Sequence, residues 1–143
     1  MLACRELLFH ALRERIDERP ILGTPRDLRD YLTLVMGYLP VEEFRVLFLA
    51  NGYRLIADEP MWRGTVDQVP AYPREIVGRA LHFGAKSVII VHNHPSGSAQ
   101  PSTMDEAVTE NIHHACLALG IDLLDHLIIT SRGIASFREL GLL

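Results

Sequence analysis

The run Ser87-Val-Ile-Ile-Val91 constrains this chain more than any other, because four consecutive β-branched apolar residues leave no polar face for water. Such a run reads as a short strand buried in a core. Just before it, "YPREIVGRALHFGA" opens on Pro73, stops at Gly84 and puts Ile76, Val77, Ala80 and Leu81 on one helical face. After it, "STMDEAVTENIHHACLALG" repeats Met104, Ala107, Val108, Ile112, Ala115, Cys116 and Leu119 at helical spacing, with Gly120 as its stop. The core strand is therefore fed by one helix and followed by another.

The remaining segments extend this pattern. From Ala3 to about Ile16, the residues Leu7, Leu8, Ala11, Leu12 and Ile16 recur as an amphipathic helix. A second helix is expected in "TPRDLRDYLTLVMGYLP", with Thr24 as N-cap, Pro25 at the first helical position, Asp27 three residues after the cap and a stop at Gly37 to Pro40. "EEFRVLFLANGYRLIADEPM" reads as two antiparallel strands around Asn51-Gly52. "IDLLDHLIIT" is a further strand, "SRG" a turn, "IAS" a short strand and "FRELGLL" a closing apolar turn. Helices and strands alternate, and the hairpin makes the sheet mixed, so the fold class is α/β.

At 143 residues and 48% hydrophobic content the chain suits one domain with a real core. Its net charge is −4 and its 14 Lys and Arg form no dense block, so DNA is expected to bind at most weakly. Arg5 and Glu6 interrupt the first residues where a secretion signal needs apolar ones, and no apolar run approaches the ~18 residues of a membrane span. A cytoplasmic protein with no membrane partner is the expectation. Cys4 and Cys116, far apart and outside any CxxC pair, read as reduced thiols, Cys116 as a buried one.

The chemistry concentrates where the core strand ends, in "VHNHPSGSAQPSTMD". Residues i and i+2 of a strand face the same side, so His92 and His94 can aim their ring nitrogens at one point. Asp105, beyond a loop with Pro95, Gly97 and Pro101, can return to that point from the start of the next helix. Two imidazoles and one carboxylate, with water in the fourth place, make an open tetrahedral zinc arrangement rather than a closed structural one. A plainer reading stands beside it: Ser102 and Asp105 have the spacing of a capping box and can simply satisfy the helix start.

"HNHPSGSAQPSTMD" resembles the JAMM (MPN-plus) metalloprotease signature, an HxHP followed by a Ser and, three residues later, an Asp. Its form is similar to the RadC branch, as are "FRVLFLANGYRLI", "RGT", "YPREIVGRAL", "LGIDLLDHLII" and "SFRELGLL" in the same order. The resemblance covers roughly residues 25–143. It implies a JAMM/MPN-like, cytidine-deaminase-like three-layer domain, with a mixed β-sheet flanked by helices. Residues 1–24 then read as an N-terminal helix and linker, the remnant of a helix-hairpin-helix region.

The resemblance also implies His92, His94 and Asp105 as Zn2+ ligands, Ser102 as oxyanion stabiliser and a glutamate on an earlier strand as base. Glu42 and Glu43 are adjacent candidates for that base. Glu42 shares a face with Phe44, Val46 and Phe48, and it stands two residues before the aromatic, as in the RadC pattern. Glu43 shares its face with Arg45 and reads as a solvent-facing carboxylate. Tyr72 occupies a position where the family pattern has a His. Asp125 and His126 read as a buried hydrogen-bonded pair, and His113 and His114 as surface residues about 12 Å along the helix from the site.

The implied activity is zinc-dependent hydrolysis of a peptide or isopeptide bond in a peptide or protein substrate, by a chain that can form a homodimer. The alternative is a non-enzymatic zinc-containing binding module associated with DNA repair or recombination.

Overall fold

The computed structural model describes every residue except Arg19, Leu22, Gly23, Thr24 and Asp67, together with the side chain of Glu18. The expected cap at Thr24 lies outside the described residues. In chain order the elements are α1 (Leu2–Glu18), α2 (Pro25–Met36), β1 (Glu43–Leu49), β2 (Leu55–Arg63), α3 (Pro73–Phe83), β3 (Ser87–Asn93), α4 (Thr103–Ala118), β4 (Asp122–Ile129) and β5 (Ile134–Ser136). The strands form one sheet in the order β2-β1-β3-β4-β5. β1 runs antiparallel to β2 and β3, β4 parallel to β3, and β5 antiparallel to β4. The mixed α/β architecture is thus the one the hairpin and the alternating elements require.

Helices cover both faces of the sheet, which is why β3 is buried along its whole length. On one side Leu12 and Ile16 of α1 and Leu28, Tyr31, Leu32 and Met36 of α2 pack on Leu47, Leu49, Ile89, Val91, Leu127 and Ile129. On the other, Ile76, Val77 and Ala80 of α3 and Ile112 and Cys116 of α4 pack on Phe44, Val46, Phe48, Val88, Ile90 and Leu123. Strand parity decides which core each side chain joins, and an irregularity between Leu123 and Asp125 switches the faces within β4. Cys116 is a buried free thiol, pushed up to about 11 by burial, and Cys4 is an exposed one. No helix among the described residues is long and apolar enough to cross a membrane.

Several side chains depart from the helical faces expected of them. Leu7, Leu8, Leu81, Met104 and Leu119 are exposed. In α3 the buried stripe is set by Ile76, Val77 and Ala80, and Leu81 falls on its flank. In α4 the stripe runs through Thr109, Ile112 and Cys116, which turns Met104 and Leu119 outward. The hairpin loop is also longer than a two-residue turn. Ala50 N–H donates to the Arg54 carbonyl at 2.8 Å, with Gly52 and Tyr53 in the left-handed region between them.

Glu43 corrects the sequence reading most sharply, since it is 1% exposed rather than solvent-facing. Its parity sends it toward the α1/α2 side, where Arg45 donates to it at 3.0 Å and Arg63 at 3.2 Å. Arg45 also reaches Asp58 at 2.8 Å, and Asp58 takes a further hydrogen bond from the Tyr31 hydroxyl and one from Arg13. Burial and the neighbouring Asp58 push the Tyr31 phenol up to about 12. The network stitches α1, α2, β1 and β2 together through charge.

Removing Arg45 leaves two carboxylates short of their shared cation in a nearly dry site. Arg45→Met should cost about 3 kcal/mol or more of unfolding free energy, read by urea denaturation. A loss under about 0.5 kcal/mol, the size of an ordinary surface change, would contradict this account of the network.

Candidate metal centre

β3 ends with His92 and Asn93 and runs directly into His94, and alternation sends the two imidazoles to the α3/α4 side and Asn93 to the other. The His94 N–H donates to the Ile129 carbonyl at 3.0 Å, so pairing with β4 continues to the second histidine. A turn follows, closed by Gly97 N–H on the His94 carbonyl at 3.1 Å, with Gly97 at a φ of 88° that a side chain would strain. The chain then reaches Ser102, which caps α4. Ser102 Oγ accepts from the Asp105 N–H at 3.0 Å, and Asp105 Oδ2 accepts from the Ser102 N–H at 2.7 Å. The capping box and the metal-ligand geometry are therefore both present, in one carboxylate.

His92 Nε2 lies 2.8 Å from His94 Nε2, 3.2 Å separates it from Asp105 Oδ1, and His94 Nε2 is 3.3 Å from Asp105 Oδ2. A tetrahedral zinc with ligands at about 2.0–2.1 Å has ligand-to-ligand edges of about 3.4 Å, so the three residues fit such an ion with little movement. The tautomer of His94 supports the fit. Its Nδ1 faces the Ser98 carbonyl at 2.8 Å and must donate there, which leaves a lone pair on Nε2 aimed at the other donors.

Burial and the neighbouring charges act on each of the three groups differently. Burial holds His92 below the ordinary imidazole range, outweighing the pull of Asp105. His94 is raised, because Asp105 stabilises its protonated form against the opposing effect of burial. Burial alone would raise Asp105, but its close contacts with His92 and His94 carry it well below the usual carboxylate range.

Glu42 is held beside the triad by its backbone. Asn93 accepts from the Glu43 N–H at 2.7 Å and donates to the Val41 carbonyl at 3.0 Å, clamping the residues on either side of it. Glu42 N–H also donates to the Thr65 carbonyl at 2.8 Å, and its carbonyl accepts from Gly64 at 2.9 Å. Its carboxylate stands 4.0 Å from His94 Nε2. Glu42, His92, His94, Ser102 and Asp105 all line one open cavity of about 360 Å³, with Phe44, Val66, Val69, Met104 and Val108 supplying apolar walls.

Other singled-out residues fall elsewhere. The Tyr72 ring packs edge-on against Trp62 at 5.6 Å, and Trp62 packs on Phe44. His113 and His114 border a separate cavity farther along α4, with Glu106, Glu110 and Leu143. Asp125 and His126 do not pair through their side chains. Asp125 accepts from the His126 and Arg138 backbone N–H groups and from Ser136 Oγ at 2.5 Å. His126 instead joins the histidine cluster, with its Nε2 2.7 Å from His92 Nδ1. The sequence did carry a signal for this, since a histidine in an apolar strand parallel to the one bearing His92 needs a buried polar partner.

Residues 22–142 match the RadC-like JAB domain family. Among curated proteins, the chain is similar to a UPF0758 protein of Polaromonas sp., 47% identical over 143 residues, all of this chain and 64% of that protein. It is likewise similar to a UPF0758 protein of Rhodobacter capsulatus, 52% identical over 131 residues, which is 92% of this chain and 61% of that one. The chain thus spans less than two thirds of the length of these relatives.

Gly64 is the tightest backbone approach at this site, because a Cβ there would lie 1.7 Å from the Gln68 carbonyl oxygen and 2.5 Å from Val69 Cα. Neither is a flexible side-chain end. Gly64→Ala should destabilise by at least the ~1–3 kcal/mol of an overpacked site, seen as a lower melting temperature, and should loosen the segment that pins Glu42. An unchanged melting temperature would show that the 64–69 segment accommodates a methyl group.

Proposed function

The chain belongs to the RadC family of JAB-domain proteins, and on that premise we propose that it is a zinc-dependent hydrolase acting on a peptide or isopeptide bond. The observation that carries this reading is the convergence of two imidazole nitrogens and one carboxylate in an open cavity, with a second carboxylate, Glu42, 4.0 Å from His94. A site closed for structure alone would bring a fourth protein ligand, and among the described residues the cluster has three. His92, His94 and Asp105 would hold the ion. Bound there, zinc supplies Lewis acidity, making a water acidic near neutral pH and polarising a carbonyl.

The chain's own groups do the rest. Glu42 accepts the proton of the attacking water and returns it to the departing amine, which asks of it only the reach that the Asn93 clamp provides. Ser102 Oγ uses a lone pair on the Asp105 N–H and keeps its own proton to donate to the developing oxyanion. The apolar walls formed by Phe44, Val66, Val69, Met104 and Val108 suit a peptide substrate better than a phosphate backbone. A net charge of −4 points the same way, away from DNA as a tight partner.

Hydrolysis of a peptide library by zinc-loaded protein tests the proposal. Glu42→Gln should retain zinc and lose at least about 100-fold in rate, the lower end of what a positioned acid–base group contributes. Ser102→Ala should slow the reaction by about 10²–10³ with zinc retained. Wild-type turnover in Glu42→Gln would remove the glutamate from the mechanism. Absence of turnover on every peptide, together with tight and structure-selective DNA binding, would favour the binding-module alternative.

A further inference from the structure

Behind His92 lies a chain of hydrogen bonds in which one arrangement of protons satisfies every contact. Thr109 Oγ1 lies 2.6 Å from the Asp105 backbone carbonyl, which can only accept, so the hydroxyl proton is directed there. The same Oγ1 lies 2.6 Å from His126 Nδ1 and, its proton spent, must accept from it. His126 therefore carries its proton on Nδ1 and presents a lone pair at Nε2. That lone pair faces His92 Nδ1 at 2.7 Å, so His92 must carry its proton on Nδ1 as well. The atom left with a free lone pair is His92 Nε2, the one that faces Asp105 and His94.

We propose that Thr109 and His126 are positioning residues that lock His92 in the tautomer able to bind metal, in a relay that starts from the backbone of Asp105 and ends on His92. The inference rests on the metal-centre reading above, and adds to it the residues that prepare the site before an ion arrives. Packing supports the lock. His126 is fully buried, with its ring stacked on Phe137 at 4.4 Å and against Phe44 at 6.0 Å, so it can neither turn away nor take a water as partner cheaply. His92 is stacked on Phe44 from its own side, nearly parallel at 8°. Thr109 lies one helical turn beyond Asp105, so one element supplies both a ligand and the far end of the relay.

The alternative tautomer shows why the relay is needed. With its proton on Nε2, His92 would point an N–H into the triad, and His126 and Thr109 would have to reverse in turn. Thr109 would then offer a hydroxyl proton to His126 and leave the Asp105 carbonyl without it. The carbonyl cannot reverse, and so the extra hydrogen bond at that end sets the direction. Loss of the tautomer reduces the fraction of protein competent to bind metal, and apparent affinity falls by that fraction.

Long-range proton–nitrogen NMR on the folded metal-free protein, at about pH 8 and so above the ordinary imidazole range, reads the tautomers directly. Wild type should show His92 and His126 each protonated on Nδ1. Thr109→Val, nearly the same shape but without the hydroxyl, should show mixed tautomers at both rings. Its zinc affinity, measured by chelator competition, should be lower by about ten- to a hundredfold, as for other partners of metal-binding histidines. Thr109→Ser, which restores the hydroxyl, should recover both the signature and the affinity. A wild-type His92 or His126 protonated on Nε2 would overturn the proposal even if the variants failed to fold. So would a Thr109→Val protein with wild-type tautomers and unchanged zinc affinity. Wild type that binds no zinc yet shows the Nδ1 tautomers would instead remove the metal-centre reading and leave the lock standing.

Discussion

The carboxylate of Asp105 is the point on which the site depends, because it makes local structure and ligand geometry the same event. It accepts the Ser102 N–H and so starts α4, and a capping interaction of this kind is worth about 1 kcal/mol. Its two oxygens also face His92 and His94, which come from the end of β3. The loop between these elements has only to bring the start of a helix to the end of a strand, and the turn at Gly97 does this with one left-handed residue. Forming the helix in register brings the third donor to the two imidazoles. A capping box and a ligand set are often treated as rival explanations of the same residues. Here each makes the other more precise.

Sheet parity then divides the chemistry into two faces. Phe44, Val46, His92 and His126 belong to the side covered by α3 and α4, where the cavity opens. Glu43, Arg45 and Asp58 belong to the side of α1 and α2, where buried charges are paired. The adjacent glutamates are therefore chemically distinct despite being neighbours. Glu43 has both oxygens committed to arginines, while Glu42 reaches into the cavity. Asn93 follows the same logic: placed between two histidines that face the cavity, it faces the opposite side and holds the backbone on which Glu42 sits. Buried ion pairs are costly to desolvate, and their return here is a fixed register between β1, β2 and the helices above them.

Much of this was legible in the sequence, for identifiable reasons. The buried run at residues 88–91, the proline and glycine boundaries of α3 and the hairpin pattern around Asn51-Gly52 are strong local signals, and they place the elements to within a residue or two. The HxH spacing at the end of that strand brought His92 and His94 to one side, and the Ser102-to-Asp105 spacing marked the helix start. The burial of Glu43 was not legible, because the Arg63, Asp58, Tyr31 and Arg13 that complete its charge network come from three other elements. A charged residue next to an arginine in sequence looks like surface until α1 and α2 are laid over it. His126 was misread for a related reason. Its partner lies 34 positions away on a parallel strand, and local pattern suggested the adjacent Asp125 instead. Thr109 carries no local signal of its burial, and its partner there is the ring of His126.

Zinc content combined with zinc K-edge X-ray absorption on the protein tests the central claim most directly, since it reports stoichiometry and ligand atoms without requiring a substrate. The account predicts one zinc per chain, bound at about 2.0–2.1 Å by nitrogen and oxygen donors with the multiple-scattering signature of two imidazoles and no sulfur. Substoichiometric zinc in protein saturated with the ion, or a shell containing a cysteine sulfur or a single imidazole, would contradict it.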